Sequence, residues 1–143
     1  MNLNNSKTSE KKTHYYYTMA LRKERRKRIA NPDGYGRQTG KCGDTVEIFL
    51  MADNDHIDKI FFETNGCLST SACANAVAFL SEGRKIADAW EITSEHIVNY
   101  LEVLPSEEVH CAELVAGTFY LALSNCRQNK LSPWKRVYQI QKT

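Results

Sequence analysis

A chain of 143 residues with 42% hydrophobic and 25% charged residues, 7 Gly and 3 Pro has the profile of one globular domain with its own core, which excludes disordered and collagen-like classes. No apolar run approaches the length that crosses a bilayer and the opening MNLNNSKTSEKK has no signal-peptide core, so a cytoplasmic location without a membrane partner is expected. Net charge is a mild +2, split between residues 1–28, with 9 Lys/Arg against 2 Asp/Glu, and residues 29–143, with 10 against 15.

Residues 1–14 read as a flexible tail and 15–143 as a single domain. The spacing predicts a short basic helix from Tyr15 to Ile29, closed by the breaker stretch NPDGYG at 31–36. Its run Arg22-Lys23-Glu24-Arg25-Arg26-Lys27-Arg28 lacks interleaved aromatics, so it reads as a solvated helix face rather than a nucleic-acid surface. Alternation of Val46, Ile48 and Leu50, and then the run around Ile60, Phe61 and Phe62, predict a hairpin of strands 45–51 and 57–64 joined through 52–56. If they pair about Asn54, residues whose numbers sum to about 108 face each other. Cys42 and Asp44 then lie across from Gly66 and Thr64, and Cys42 neighbours Cys67.

Ala72, Cys73, Ala76, Val77 and Leu80 form a helical stripe that ends at Gly83. A short helix is expected over Ile86 to Trp90, and Ser94 reads as the N-cap of another through Leu101. Pro105 breaks the chain before the longest helix, about His110 to Cys126, and Pro133 to Ile140 offers one more amphipathic segment. A hairpin followed by helices implies an α+β fold, a small antiparallel sheet with helices packed on one face.

Five cysteines, an odd number spread over the chain, argue against a secreted disulfide framework. Cys67 and Cys111 each fall at a predicted helix start, where unpaired N–H groups and the helix dipole favour a thiolate. Cys42 sits in the turn Gly40-Lys41-Cys42-Gly43-Asp44, whose glycines let the backbone approach a bound group. Three thiolates with the Asp44 carboxylate and the His110 imidazole make a four-coordinate site with a spare ligand, and sulfur donors select zinc, copper(I) or iron–sulfur clusters. Closely spaced CxxC knuckles, the mark of a permanent zinc or ferredoxin site, are absent. A site built from single distant cysteines is more easily exposed and exchanged.

Three blocks, GKCGD at 40–44, TNGC at 64–67 and LPSEEVHCAEL at 104–114, resemble the signature blocks of the IscU and NifU N-terminal domain family of iron–sulfur cluster assembly scaffolds. The resemblance spans roughly 31–126. It implies that Cys42, Cys67 and Cys111 are the cluster cysteines, that Asp44 aids release and that His110 is an alternative ligand. It further implies a non-enzymatic scaffold for a [2Fe-2S] cluster built from iron, with zinc as an occupant of the resting or purified form. The partners implied are a cysteine desulfurase that donates sulfur and the apo-proteins that receive the cluster. The runner-up is a Suf-type zinc protein that accepts sulfur from a desulfurase, a branch with an insertion between its second and third cysteines that this chain lacks. A third reading, a thiol enzyme with a His110–Cys111 dyad, is opposed by the roughly 100° divergence of adjacent helical side chains.

The chain departs from the family pattern at Ser106-Glu107-Glu108, where relatives carry an LPPVK-like segment bound by a specialised Hsp70, so that chaperone is not expected as a partner. Cys73 stands where serine is common; its place on the apolar stripe reads as core, with an additional ligand as the alternative. Cys126 lies fifteen residues beyond Cys111, ~22 Å along a helix, and cannot share the site.

Overall fold

The computed structural model describes residues 16–131, so the tail at 1–14 and the segment Pro133 to Ile140 lie outside the described residues. Three strands, β1 (Gly34–Thr39), β2 (Thr45–Asp53) and β3 (His56–Thr64), form an antiparallel sheet in the order β1-β2-β3. They are followed by α1 (Leu68–Ser81), α2 (Ile86–Ala89), α3 (Ser94–Leu101), a 3-10 turn (Ser106–Glu108) and α4 (Val109–Leu131). The α+β expectation is met.

Alternation along β2 and β3, offset by the irregularity between Ile57 and Lys59, sends Val46, Ile48, Leu50, Ile57, Ile60 and Phe62 inward, and all six are buried. In register, Ile48 pairs with Phe62 and Leu50 with Ile60. Pairs over most of the hairpin sum to 110 rather than 108, because the turn closes at Asp53 and His56 and a bulge between Met51 and Ala52 adds a residue. A shift of two keeps every face and moves Asp44 from Thr64 toward Gly66. Asn54 takes the left-handed conformation the tight turn requires, with φ 58°.

β1 replaces the breaker expected at 31–36. Its Gly34 and Gly36 pair with Leu50 and Ile48 on the inward face, directly under α4. A methyl group on Gly34 would stand 2.4 Å from Ala122 O, and one on Gly36 2.4 Å from Thr118 O. The glycines are there for backbone approach rather than for a turn.

α1 is buried almost all round, from Ser69 to Ala78, and its small Ser, Thr and Ala side chains let it run through the centre of the molecule. α3 opens on Thr93 rather than Ser94: Thr93 Oγ1 accepts from His96 N, and His96 Nδ1 accepts from Thr93 N at 3.0 Å. His96 is therefore half of a capping box. α4 starts at Val109 and continues past Cys126 to Leu131.

The basic run is not one helix face. Among the described residues of this stretch helix ends at Leu21, and the chain then lies along β3 and α1 as a strap. Phe62 N donates to Arg25 O at 2.9 Å, and Arg26 donates to Thr64 O. Arg25 grips Glu82 with two bonds of 3.0 and 2.6 Å and stacks on Phe79, while Arg28 pairs with Glu47 and lies over Phe49. These partners lie in β2, β3, α1 and the residue that caps α1, so the sequence alone does not reveal them.

Candidate functional site

The C-terminal end of β3, the start of α1 and the start of α4 meet at one edge of the core. Cys67 is the N-cap residue of α1 and makes no side-chain cap bond to the helix, which leaves its sulfur exposed at the mouth. Cys111 lies in the first turn of α4 and is buried. Between them stands Glu108, the last residue of the 3-10 turn, whose N–H donates to Pro105 O at 2.9 Å. Cys111 Sγ is 3.3 Å and Cys67 Sγ 3.8 Å from Glu108 Oε2. The three ligand atoms lie within 4.8 Å of one another, the one such group of three found among the described residues.

The sequence singles out Glu108 only as part of the altered segment Ser106-Glu107-Glu108. The signal that could have placed it in the site is its spacing, three residues before Cys111, which puts both side chains on one helical face. Thr70, one turn into α1, was likewise missed, and its hydroxyl stands 3.8 Å from Cys67 Sγ. The backbone at Gly66 is tightly enclosed, since a methyl group there would stand 2.7 Å from Thr70 Oγ1 and 3.1 Å from Asp44 Oδ2.

The structure thus brings Cys67 and Cys111 together and sets Asp44 against Gly66, the residue before Cys67. Asp44 O closes the β1–β2 turn by accepting from Gly40 N at 2.8 Å. Cys42 is exposed in that turn, and Cys42, Asp44 and His110 fall outside the group of three. His110 comes nearer to Cys111 than adjacent helical positions suggest, with Nε2 3.7 Å from Sγ. Its Nδ1 is 2.9 Å from Glu107 O; a carbonyl only accepts, so Nδ1 carries the proton and the Nε2 lone pair is left facing the sulfur.

The helix-start argument for a ready thiolate fails at Cys111. Burial pushes this thiol up to about 12, with the Glu108 carboxylate and the Cys67 sulfur adding to the rise and the Thr70 hydroxyl opposing it. Without a cation, the buried sulfur keeps its proton. Cys73 lies behind the pair, fully buried in the core, and burial drives its thiol higher still. Cys126 is buried against Gly34 at the far end of the core.

The family model for the NifU-like N terminal domain matches residues 28–132, most of the chain. The chain belongs to that family. Among curated NifU-like relatives, the iron-sulfur cluster assembly scaffold protein IscU 1 of Archaeoglobus fulgidus is 29% identical over 97 residues, 67% of this chain and 63% of the relative. The iron-sulfur cluster assembly protein IscU of Plasmodium falciparum is 31% identical over 91 residues, 64% of this chain and 56% of the relative. The matches thus span about three fifths of those relatives' lengths. Of solved structures, the SUF-system scaffold of Fervidobacterium islandicum superposes with a TM-score of 0.64 at 21% identity, covering 76% of this chain and 93% of that one. The N-terminal NifU-like protein of Brucella abortus gives 0.62 at 18% identity, covering 82% and 93%. At these identities the likeness shows the fold, which is the NifU-like one. No helix among the described residues is long and apolar enough to cross a membrane.

Proposed function

We propose that the chain is a scaffold on which iron and sulfide are assembled into a [2Fe-2S] cluster for transfer to apo-proteins. The observation that carries this is the convergence of Cys67 and Cys111, from two different helix starts, in a chain of the NifU-like family. Curated members of similar sequence are named for iron–sulfur cluster assembly. Residues 15–143 form the scaffold domain in this reading. Cys42, on the neighbouring turn, supplies the third thiolate; Asp44 offers a hard oxygen that limits how long iron is held; His110 Nε2 is the exchangeable nitrogen beside Cys111.

The chain's own work is to bind and to let go, without catalysing a reaction. A cysteine desulfurase supplies the sulfur and apo-proteins accept the product. The Suf-type alternative, a zinc protein that takes up sulfur, draws on a structural neighbour of the SUF system, but that likeness is one of fold.

Anaerobic reconstitution with iron(III) and sulfide, followed by visible absorption and by iron and sulfide counts, tests the reading. Cys42→Ser, Cys67→Ser and Cys111→Ser should each lose or strongly destabilise the chromophore, and Cys126→Ser should keep it. A full chromophore in Cys67→Ser would sink the assignment.

A further inference from the structure

The scaffold reading assigns no role to Glu108, yet its carboxylate is the group that bridges the two converging sulfurs. It approaches Cys111 Sγ at 3.3 Å and Cys67 Sγ at 3.8 Å. Zn–S bonds of about 2.3 Å and a Zn–O bond of about 2.1 Å at a tetrahedral angle set S···O at about 3.6 Å and S···S at about 3.8 Å. The observed S···O distances fall on either side of that value, and the whole group fits within 4.8 Å. This spacing is compatible with three corners of one tetrahedron around a single ion.

We propose that Cys67 Sγ, Cys111 Sγ and Glu108 Oε2 form a mononuclear site for a divalent metal ion of the zinc or iron(II) kind, with the fourth corner open toward solvent. Two sulfurs with one carboxylate oxygen suit zinc and iron(II) better than calcium or magnesium, which favour oxygen alone. On loading, each thiol gives its proton to solvent as its sulfur binds. Two thiolates and one carboxylate around a divalent ion leave a net charge of −1. The ion thereby removes the cost of ionising the buried Cys111 thiol, which no cationic side chain in the group offsets. Glu108 itself needs no large movement to serve. The 3-10 turn that presents it is closed by Glu108 N to Pro105 O at 2.9 Å and by Val109 N to Ser106 O, and it runs directly into α4.

The inference deepens the scaffold reading, because it uses two of the same cysteines, but it concerns a single ion rather than a cluster. Cobalt(II) is the probe, titrated anaerobically into the full reduced chain. The d–d bands report coordination number, and sulfur-to-metal charge-transfer intensity reports the number of thiolates. The parent should bind one cobalt tetrahedrally through two thiolates. Glu108→Gln should weaken cobalt binding at least about tenfold, since even groups that only orient a ligand are worth 10–100-fold. Glu107→Gln, at the neighbouring exposed position outside the group, should bind like the parent. Glu108→Cys should raise the charge-transfer intensity by about half, as a third thiolate enters the same corner. Parent-like affinity in Glu108→Gln with no added intensity in Glu108→Cys would overturn the inference. If in that case Cys67→Ser and Cys111→Ser still abolish the spectrum, the scaffold reading stands without Glu108; if they leave it unchanged, the paired-cysteine site itself is wrong.

Discussion

Removing the Glu82 carboxylate should destabilise the fold by about 3 kcal/mol, because one side chain there satisfies three donors. Arg25 Nε and Nη2 reach its two oxygens at 3.0 and 2.6 Å, and Ile60 N, in the middle of β3, donates to Oε2 at 3.0 Å. The Arg25 and Glu82 side chains are only 12% and 16% exposed, so little solvent is available to replace the lost bonds. Breaking a buried pair costs about 3–5 kcal/mol, and an exposed one less than about 1. This pair lies near the buried limit, with enough access to relax partly. Glu82→Ala leaves a buried guanidinium and an unsatisfied strand N–H, which gives the figure of about 3 kcal/mol, or roughly 10 °C in Tm for a chain of this size. Glu82→Gln keeps an acceptor for Ile60 N and should cost about half as much. Arg25→Met retains packing on Phe79 and separates the charge from the stacking contribution. Urea unfolding with a constant m-value is the assay. A Glu82→Ala midpoint within about 0.5 kcal/mol of the parent would refute the reasoning and return the basic run to a solvated surface.

Gly36→Ala should cost about 1–3 kcal/mol in the same assay, because its methyl group would meet Thr118 O at 2.4 Å and push β1 away from α4. In the metal-free protein at pH 8, iodoacetamide should modify exposed Cys42 and Cys67 well before Cys111, whose thiol is buried and pushed up to about 12; peptide mass spectrometry reads the order, and equal rates would contradict it. Burial and the Glu47 carboxylate push the Tyr35 phenol up to about 12, above its unfolded value of about 10. The stability it contributes is therefore complete below pH 10 and is lost as pH rises from 10 to 12, and Tyr35→Phe should flatten unfolding free energy over that window.

How far the sequence carries depends on whether a residue's partner lies nearby in the chain. Val46, Ile48 and Leu50 alternate, so β2 and its hairpin are legible, and the stripe from Ala72 to Leu80 makes α1 legible. The closing pair Asp53–His56 and the bulge at Met51 and Ala52 are matters of local backbone geometry, and a pairing sum of 108 in place of 110 follows from missing both. β1 is hidden because Gly34 and Gly36 look like turn formers when the helix that requires them is more than 80 residues away. Arg25 and Arg28 look like free charge because Glu82 and Glu47 are distant in sequence. At the site, Cys67 and Cys111 are legible as helix-start cysteines, but the state of Cys111 is not, since burial outweighs the dipole. Glu108 reads in the sequence as a reversal of the charge relatives carry, while in the fold it is part of the sulfur cluster itself.

That placement bears on the segment 104–108, which in chaperone-dependent relatives offers two prolines, an apolar residue and a lysine to a peptide groove. Here Leu104 is 9% exposed and belongs to the core, and Ser106 to Glu108 are wound into a 3-10 turn. Engagement by such a groove would require lifting Leu104 out, at about 1.5–3 kcal/mol for a side chain of that size, and withdrawing Glu108 from both sulfurs. Glu107 and Glu108 would then meet a site suited to an apolar side chain and a cation, where an unpaired carboxylate costs several kcal/mol more. These penalties add, because the turn opens as a unit. The expectation is that a specialised Hsp70 of that type shows no ATPase stimulation by this chain at concentrations where an LPPVK-bearing relative saturates it. Glu107→Val with Glu108→Lys should restore part of the contact while weakening cobalt binding at the cysteines, so the two effects move in opposite directions. Full stimulation by the unmodified protein would show that the segment opens at little cost, and the geometry at Glu108 would then not be what holds it closed.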